Sequence, residues 1–237
     1  MRKIKNSDKS LFLFNLIIFF LIGSCKYSKT NQVKLDTRVL PEIKTINIDG
    51  LLNSLLNEDK NLTPVLEFLP NGQKSYKYLK LEENRKLKIN EIEKWYSEGT
   101  NYFTKDRINI KKLLKKLHKL EVNTQIVNIE NGVLGLWIPA RNQLLIDKKV
   151  IKMGSRIFLD VLKHESIHVS QSCFGGSKNN YPKRIGLPLE FSKKINLNLS
   201  HKFYSNNSEE AILMEREAFT YSKVEGAAIK LLDKFCF

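Results

Sequence analysis

A chain of 237 residues that is 42% apolar, 10% aromatic and 27% charged can bury one sizeable core, alone or with a small neighbouring domain. Eleven glycines and six prolines exclude collagen-like and linker-like chains, and three cysteines are too few for a disulfide scaffold. The net charge of +15 is carried mostly by lysines spread along the whole chain, not by arginine forks, so no nucleic-acid partner is expected.

Met1 to Ser10 is basic and polar, Leu11 to Ile22 is apolar apart from Asn15, and Gly23 and Ser24 precede Cys25. That order is the pattern of a secretory signal peptide over residues 1–24, and its apolar run is short of the ~20 residues of a spanning helix. Leu21-Ile22-Gly23-Ser24-Cys25 resembles the lipobox of bacterial lipoproteins, which implies lipidation at Cys25 and a protein exported and membrane-anchored in the cell envelope. An uncleaved signal anchor is the other reading. With Cys25 lipidated, Cys173 and Cys236 remain as an even pair that can form a disulfide in an oxidising compartment or stay as two buried thiols.

Residues 25–48 are polar and lack a sustained period, as a tether does. A helix is expected over Asp49 to Leu56, capped by Asp49, with Leu51, Leu52, Leu55 and Leu56 on one stripe. Ser75 to Leu81 reads as a strand after the Asn71-Gly72 turn, and residues 86–99 as a helix closed by Gly99. Residues 49–104 thus form an N-terminal accessory region without visible chemistry.

The body of the chain is expected over residues 105–237. Asp106 to Leu120 is amphipathic, with Ile110, Leu113, Leu114, Leu117 and Leu120 on one face and Lys111, Lys112, Lys115, Lys116 and Lys119 on the other. The basic face is solvated or lies against anionic lipid. Strands follow at 124–129, 132–138 and 143–147, so the class is α+β.

Residues 156–171 contain no Pro or Gly and follow Ser155, a cap candidate, so they read as a helix. Within it, residues 164–168 are His-Glu-Ser-Ile-His. Imidazoles four residues apart stack on one helix face and can both reach one Zn²⁺, while the glutamate between them points toward metal-bound water. His164 and His168 share a row with Ile157 and Val161, and Glu165 shares one with Phe158, Leu162 and Val169, so all three project into an apolar interior. Asp160, Lys163 and Ser170 are left for solvent. The bland alternative is a pair of core histidines with Glu165 in an internal ion pair.

This helix, with the Val169-Ser170-Gln171 that follows it, is similar to that of the zincin metallopeptidases carrying H-E-x-x-H-V-x-Q. In the gluzincin branch a second helix gives a glutamate as third ligand, often within Glu-x-x-Ala-Asp or Glu-x-x-Ala-Asn. Residues 209–232 are helix-like and contain Glu215-Arg216-Glu217-Ala218-Phe219. Aligning Ala218 makes Glu215 the ligand, with Glu217 as the alternative, and puts Phe219 where the family has a supporting acid or amide. The resemblance implies a zincin-like α+β fold, a small sheet packed on the motif helix, with zinc on His164, His168 and Glu215. It also implies peptide-bond hydrolysis by zinc-activated water, with Glu165 as general base. Tyr181, His201, Tyr204 and Tyr221 are candidates for steadying the oxyanion, and the Gly- and Pro-rich residues 173–190 for a lid or wall. A zincin-like envelope protein that binds zinc or a partner without turnover is the alternative.

Overall fold

The computed structural model describes residues 46–78, 87–129, 132–200 and 208–237. The signal peptide, Cys25, most of the tether, His201 and Tyr204 lie outside the described residues. The described chain is α+β.

Helix α1 runs Ile48–Leu62, six residues beyond the expected end at Leu56, and its cap is Asn47, two residues before the expected Asp49: its side chain accepts from the Gly50 amide. An antiparallel hairpin follows, β1 (Val65–Phe68) with β2 (Lys74–Lys77). Of this pair only the second strand was legible in the sequence. Helix α2 (Ile89–Glu98) ends at Gly99, whose φ of 53° suits a residue without Cβ. Leu62, Trp95 and Phe103 close a small core over these elements, with Tyr78 and Tyr102 packed on Trp95.

Helix α3 (Thr104–Lys119) buries Ile110, Leu113, Leu114 and Leu117, as its periodicity requires. Two of its basic-face lysines are paired, Lys111 with Asp49 and Lys116 with Asp233. Strands β3 (Asn123–Val127), β4 (Gly135–Ile138) and β5 (Gln143–Asp147) form a sheet in the order β3-β5-β4. Strand β3 is parallel to β5, with Ile126 opposite Ile146, and β4 is antiparallel to it, with Trp137 opposite Leu144. Strand β4 therefore lies at an edge. A short helix α4 (Lys149–Lys152) leads into α5 (Gly154–Phe174).

Helix α5 is the axis of the main core. α1, α3, β4 and β5 pack on it, as do α7 (Glu209–Ser222) and α8 (Ala227–Phe235), while α6 (Lys193–Leu199) packs on α7. Being enclosed on all sides, α5 has no broad solvent face. Ser170, expected outside, is fully buried and donates to the Ser166 carbonyl. Ser155 is not a cap either: its amide and hydroxyl both donate to Asp59 on α1, which also pairs with Arg107. The helix expected over 209–232 is two helices, broken before Gly226, whose φ of 72° cannot continue an α-helix.

A disulfide joins Cys173, in the last turn of α5, to Cys236 beyond α8, with 5.2 Å between their Cα atoms. No described helix is long and apolar enough to cross a membrane.

Candidate metal centre

The middle of α5 carries His164, Glu165 and His168, and α7 crosses it so that Glu215 faces the two imidazoles. The Nε2 atoms of His164 and His168 are 3.1 Å apart, and Glu215 Oε2 lies 3.4 Å from each. Atoms held ~2.05 Å from one tetrahedral ion are about 3.3 Å from each other. The three donors thus form a triangle of the size that one such ion requires. Neither oxygen of Glu215 meets hydrogen-bond geometry with a described residue, so its partners are the two imidazoles at ion-pair distance. This buried trio can bind a metal ion.

All four motif side chains are at most 2% exposed. Burial lowers His164 to about 4, so its ring is neutral and ready as a ligand. For His168 burial acts in the same direction, but the Glu215 carboxylate beside it outweighs that and holds it at about 9. Glu215 is its counterpart: burial works against its charge, the His168 cation favours it, and the balance stands at about 2. Without a metal the cluster therefore contains one ion pair, His168 with Glu215, and a metal cation must displace the proton on His168.

Glu165 lies beside the trio and against β4. Burial pushes its carboxyl up to about 8, and neither oxygen has a hydrogen-bond partner among the described residues. Room for it comes from Gly135: a Cβ there would stand 2.7 Å from Glu165 Oε1 and 2.8 Å from Val161 Cγ1. A glycine inside a strand is a signal of close approach. The sequence carried that signal, yet Gly135 was not among the expected site residues. Trp137 on the same strand donates from its indole to Ser172 Oγ, 2.9 Å away, which fixes β4 against α5.

The two histidines differ in what holds them. His168 Nδ1 is 2.7 Å from Gln171 Oε1, one turn further along α5. His164 Nδ1 has no hydrogen-bond partner among the described residues, and its ring packs on Phe219, centroids 4.4 Å apart, where the resemblance led one to expect a polar support. Glu217, the alternative ligand, faces away from the imidazoles. Its oxygens accept from the amides of Ile185, Gly186 and Leu187 and from Gln171 Nε2, at 2.8–2.9 Å. The segment expected to be a lid or wall is thereby strapped to α7. Of the oxyanion candidates, Tyr181 is exposed and Tyr221 is half-buried against the main core.

No family model matches this chain, and no curated protein or solved structure is significantly similar to it.

Proposed function

We propose that the chain is a zinc-dependent peptidase of the gluzincin kind, exported and tethered to the membrane. The observation that carries this is the triangle of His164 Nε2, His168 Nε2 and Glu215 Oε2, with the unpartnered carboxylate of Glu165 next to it on α5. Two neutral nitrogens and one carboxylate are a donor set that suits Zn²⁺, and three protein ligands are the number found in catalytic zinc sites. Zinc held there supplies Lewis acidity and a lowered pKa for water, ~7. Glu165 accepts the water proton at its carboxylate and returns it to the leaving amine. Edge strand β4, which flanks Glu165, can receive an extended peptide by strand addition.

Export rests on the order of residues 1–25 and is supported by the disulfide, since such bonds persist in oxidising compartments. Cys25→Ser is expected to release the protein from the membrane fraction.

A second reading, zinc binding without turnover, is favoured by the burial of all four side chains to 2% exposure or less. One experiment separates the two. Elemental analysis and a broad peptide library are applied to the wild type and to Glu165→Gln. A peptidase gives one zinc per chain in both proteins and a rate about 10²–10⁴ lower in the variant. Full activity in Glu165→Gln overturns the mechanism, and zinc without any cleavage selects the second reading.

A further inference from the structure

Resting on the metal site proposed above, we infer that Gln171 and Glu217 are positioning residues for His168: together they decide which ring nitrogen faces the metal. The amide of Gln171 has a fixed orientation. Its nitrogen lies 2.9 Å from Glu217 Oε2 and 3.1 Å from the Met214 carbonyl, both of which can only accept. Its oxygen therefore faces His168 Nδ1, at 2.7 Å, and Nδ1 must be the atom that donates. With the proton on Nδ1, the free lone pair is on Nε2, the atom in the triangle. Glu217 is in turn held by three successive backbone amides, Ile185 to Leu187, so the relay begins in the strap over α7 and ends at the metal ligand.

The relay is built of buried groups: Gln171 and Glu217 are both fully buried. His164 has no such support, its Nδ1 facing no hydrogen-bond partner among the described residues. The burden of orienting the site through hydrogen bonds thus falls on the His168 side. An orienting partner of this kind is worth about 10–100-fold in metal affinity.

The test measures the zinc dissociation constant of the full chain by chelator competition at neutral pH. The proteins are the wild type, Gln171→Leu, Glu217→Gln and Gln171→Glu. Gln171→Leu removes the acceptor, and Glu217→Gln offers Gln171 an oxygen to donate to but also an amide that conflicts with it. Both are expected to bind zinc about 10–100-fold more weakly. Gln171→Glu keeps an acceptor for Nδ1 and, when protonated, a donor for Glu217, and is expected to regain most of the lost affinity. A merely structural role for residue 171 predicts no such rescue. The inference is overturned by wild-type affinity in Gln171→Leu, or by Gln171→Glu binding no better than Gln171→Leu. An independent readout needs no variant: in the zinc-loaded wild type, ring ¹⁵N NMR is expected to show the His168 proton on Nδ1, and a proton on Nε2 overturns the relay. A wild type that binds no zinc removes the metal site itself, whereas zinc binding indifferent to residue 171 removes only this inference.

Discussion

Helix α5 contains two buried polar clusters of opposite character. At its start, Asp59 is fully buried and fully engaged: it receives the Ser155 amide and hydroxyl and pairs with Arg107, whose other nitrogen donates to the Thr100 carbonyl. About two and a half turns further along α5, His164 and Glu165, with Glu215 from α7, are equally buried, and polar atoms on each lack a hydrogen-bond partner among the described residues. Folding alone accounts for the first cluster, which docks α1 and α3 onto α5. It does not account for the second, because unsatisfied buried polar groups cost stability that an apolar core would not lose. The difference separates a joint from a site.

Breaking each cluster in turn sharpens that contrast. The largest effect on function is expected at the site: His168→Ala and Glu215→Ala should each bring zinc from one per chain to background by elemental analysis. Zinc retained in Glu215→Ala would remove α7 from the coordination set. The largest effect on stability is expected at the joint. Asp59→Ala strands the Arg107 cation and two Ser155 donors and should cost about 3–5 kcal/mol in denaturant unfolding, with zinc content of the folded fraction unchanged. In the metal-free protein Glu215→Gln breaks the ion pair with His168, but that imidazole can release its proton where the Arg107 cation cannot, so the cost should be smaller than that of Asp59→Ala. If the two variants destabilise equally, the distinction between joint and site fails.

A third substitution acts between sheet and site. Gly135→Ala places a methyl group at 2.7 Å from Glu165 Oε1, and the carboxylate must move. The three candidate ligand atoms are not in that contact. On the proposed peptidase reading, peptide hydrolysis is expected to fall about 10²-fold while zinc affinity stays within a factor of about three, because misplacing a reacting group by ~1 Å has that cost. An equal loss in both would mean that Glu165 and the ligands move as one unit.

Much of the fold was written in periodicity. The stripes of α1 and α3, the three strands of the central sheet and the rows of α5 each follow from local sequence, and so does the pairing of His164 with His168 one turn apart. What local sequence does not carry is the environment. Ser170 reads as polar surface until α5 is enclosed by its neighbours, and Ser155 reads as a cap until Asp59 arrives from ninety-six residues away. Glu215 and Glu217 are indistinguishable by composition. One faces imidazoles and the other a row of backbone amides, a choice made by the crossing of α7 over α5. Gln171 stood in plain view three residues after His168, but a role for it requires knowing where its amide nitrogen points.

Metal-free stability should also depend on pH, and the sign of that dependence follows from the same cluster. His168 is held at about 9, above its ordinary 6.5, so its contribution to stability is complete below pH 6.5 and is lost as pH rises through about 9. Glu165 is raised from 4.5 to about 8 by burial, so its cost is absent at low pH and grows as pH climbs toward 8. These two act together above pH 6.5. His164, lowered to about 4, opposes folding as pH falls from 6.5 toward 4, and Glu215, lowered from 4.5 to about 2, loses its contribution as pH falls from 4.5 through about 2. Between pH 4.5 and 6.5 the Glu165 and His164 contributions oppose each other, so the metal-free melting temperature should be level there and decline from pH 6.5 toward pH 9. On the proposed zinc reading the ion takes the place of the His168 proton, so saturating zinc should flatten the alkaline limb and leave the joint at Asp59 untouched. An alkaline decline that persists unchanged in zinc would place its origin outside the cluster.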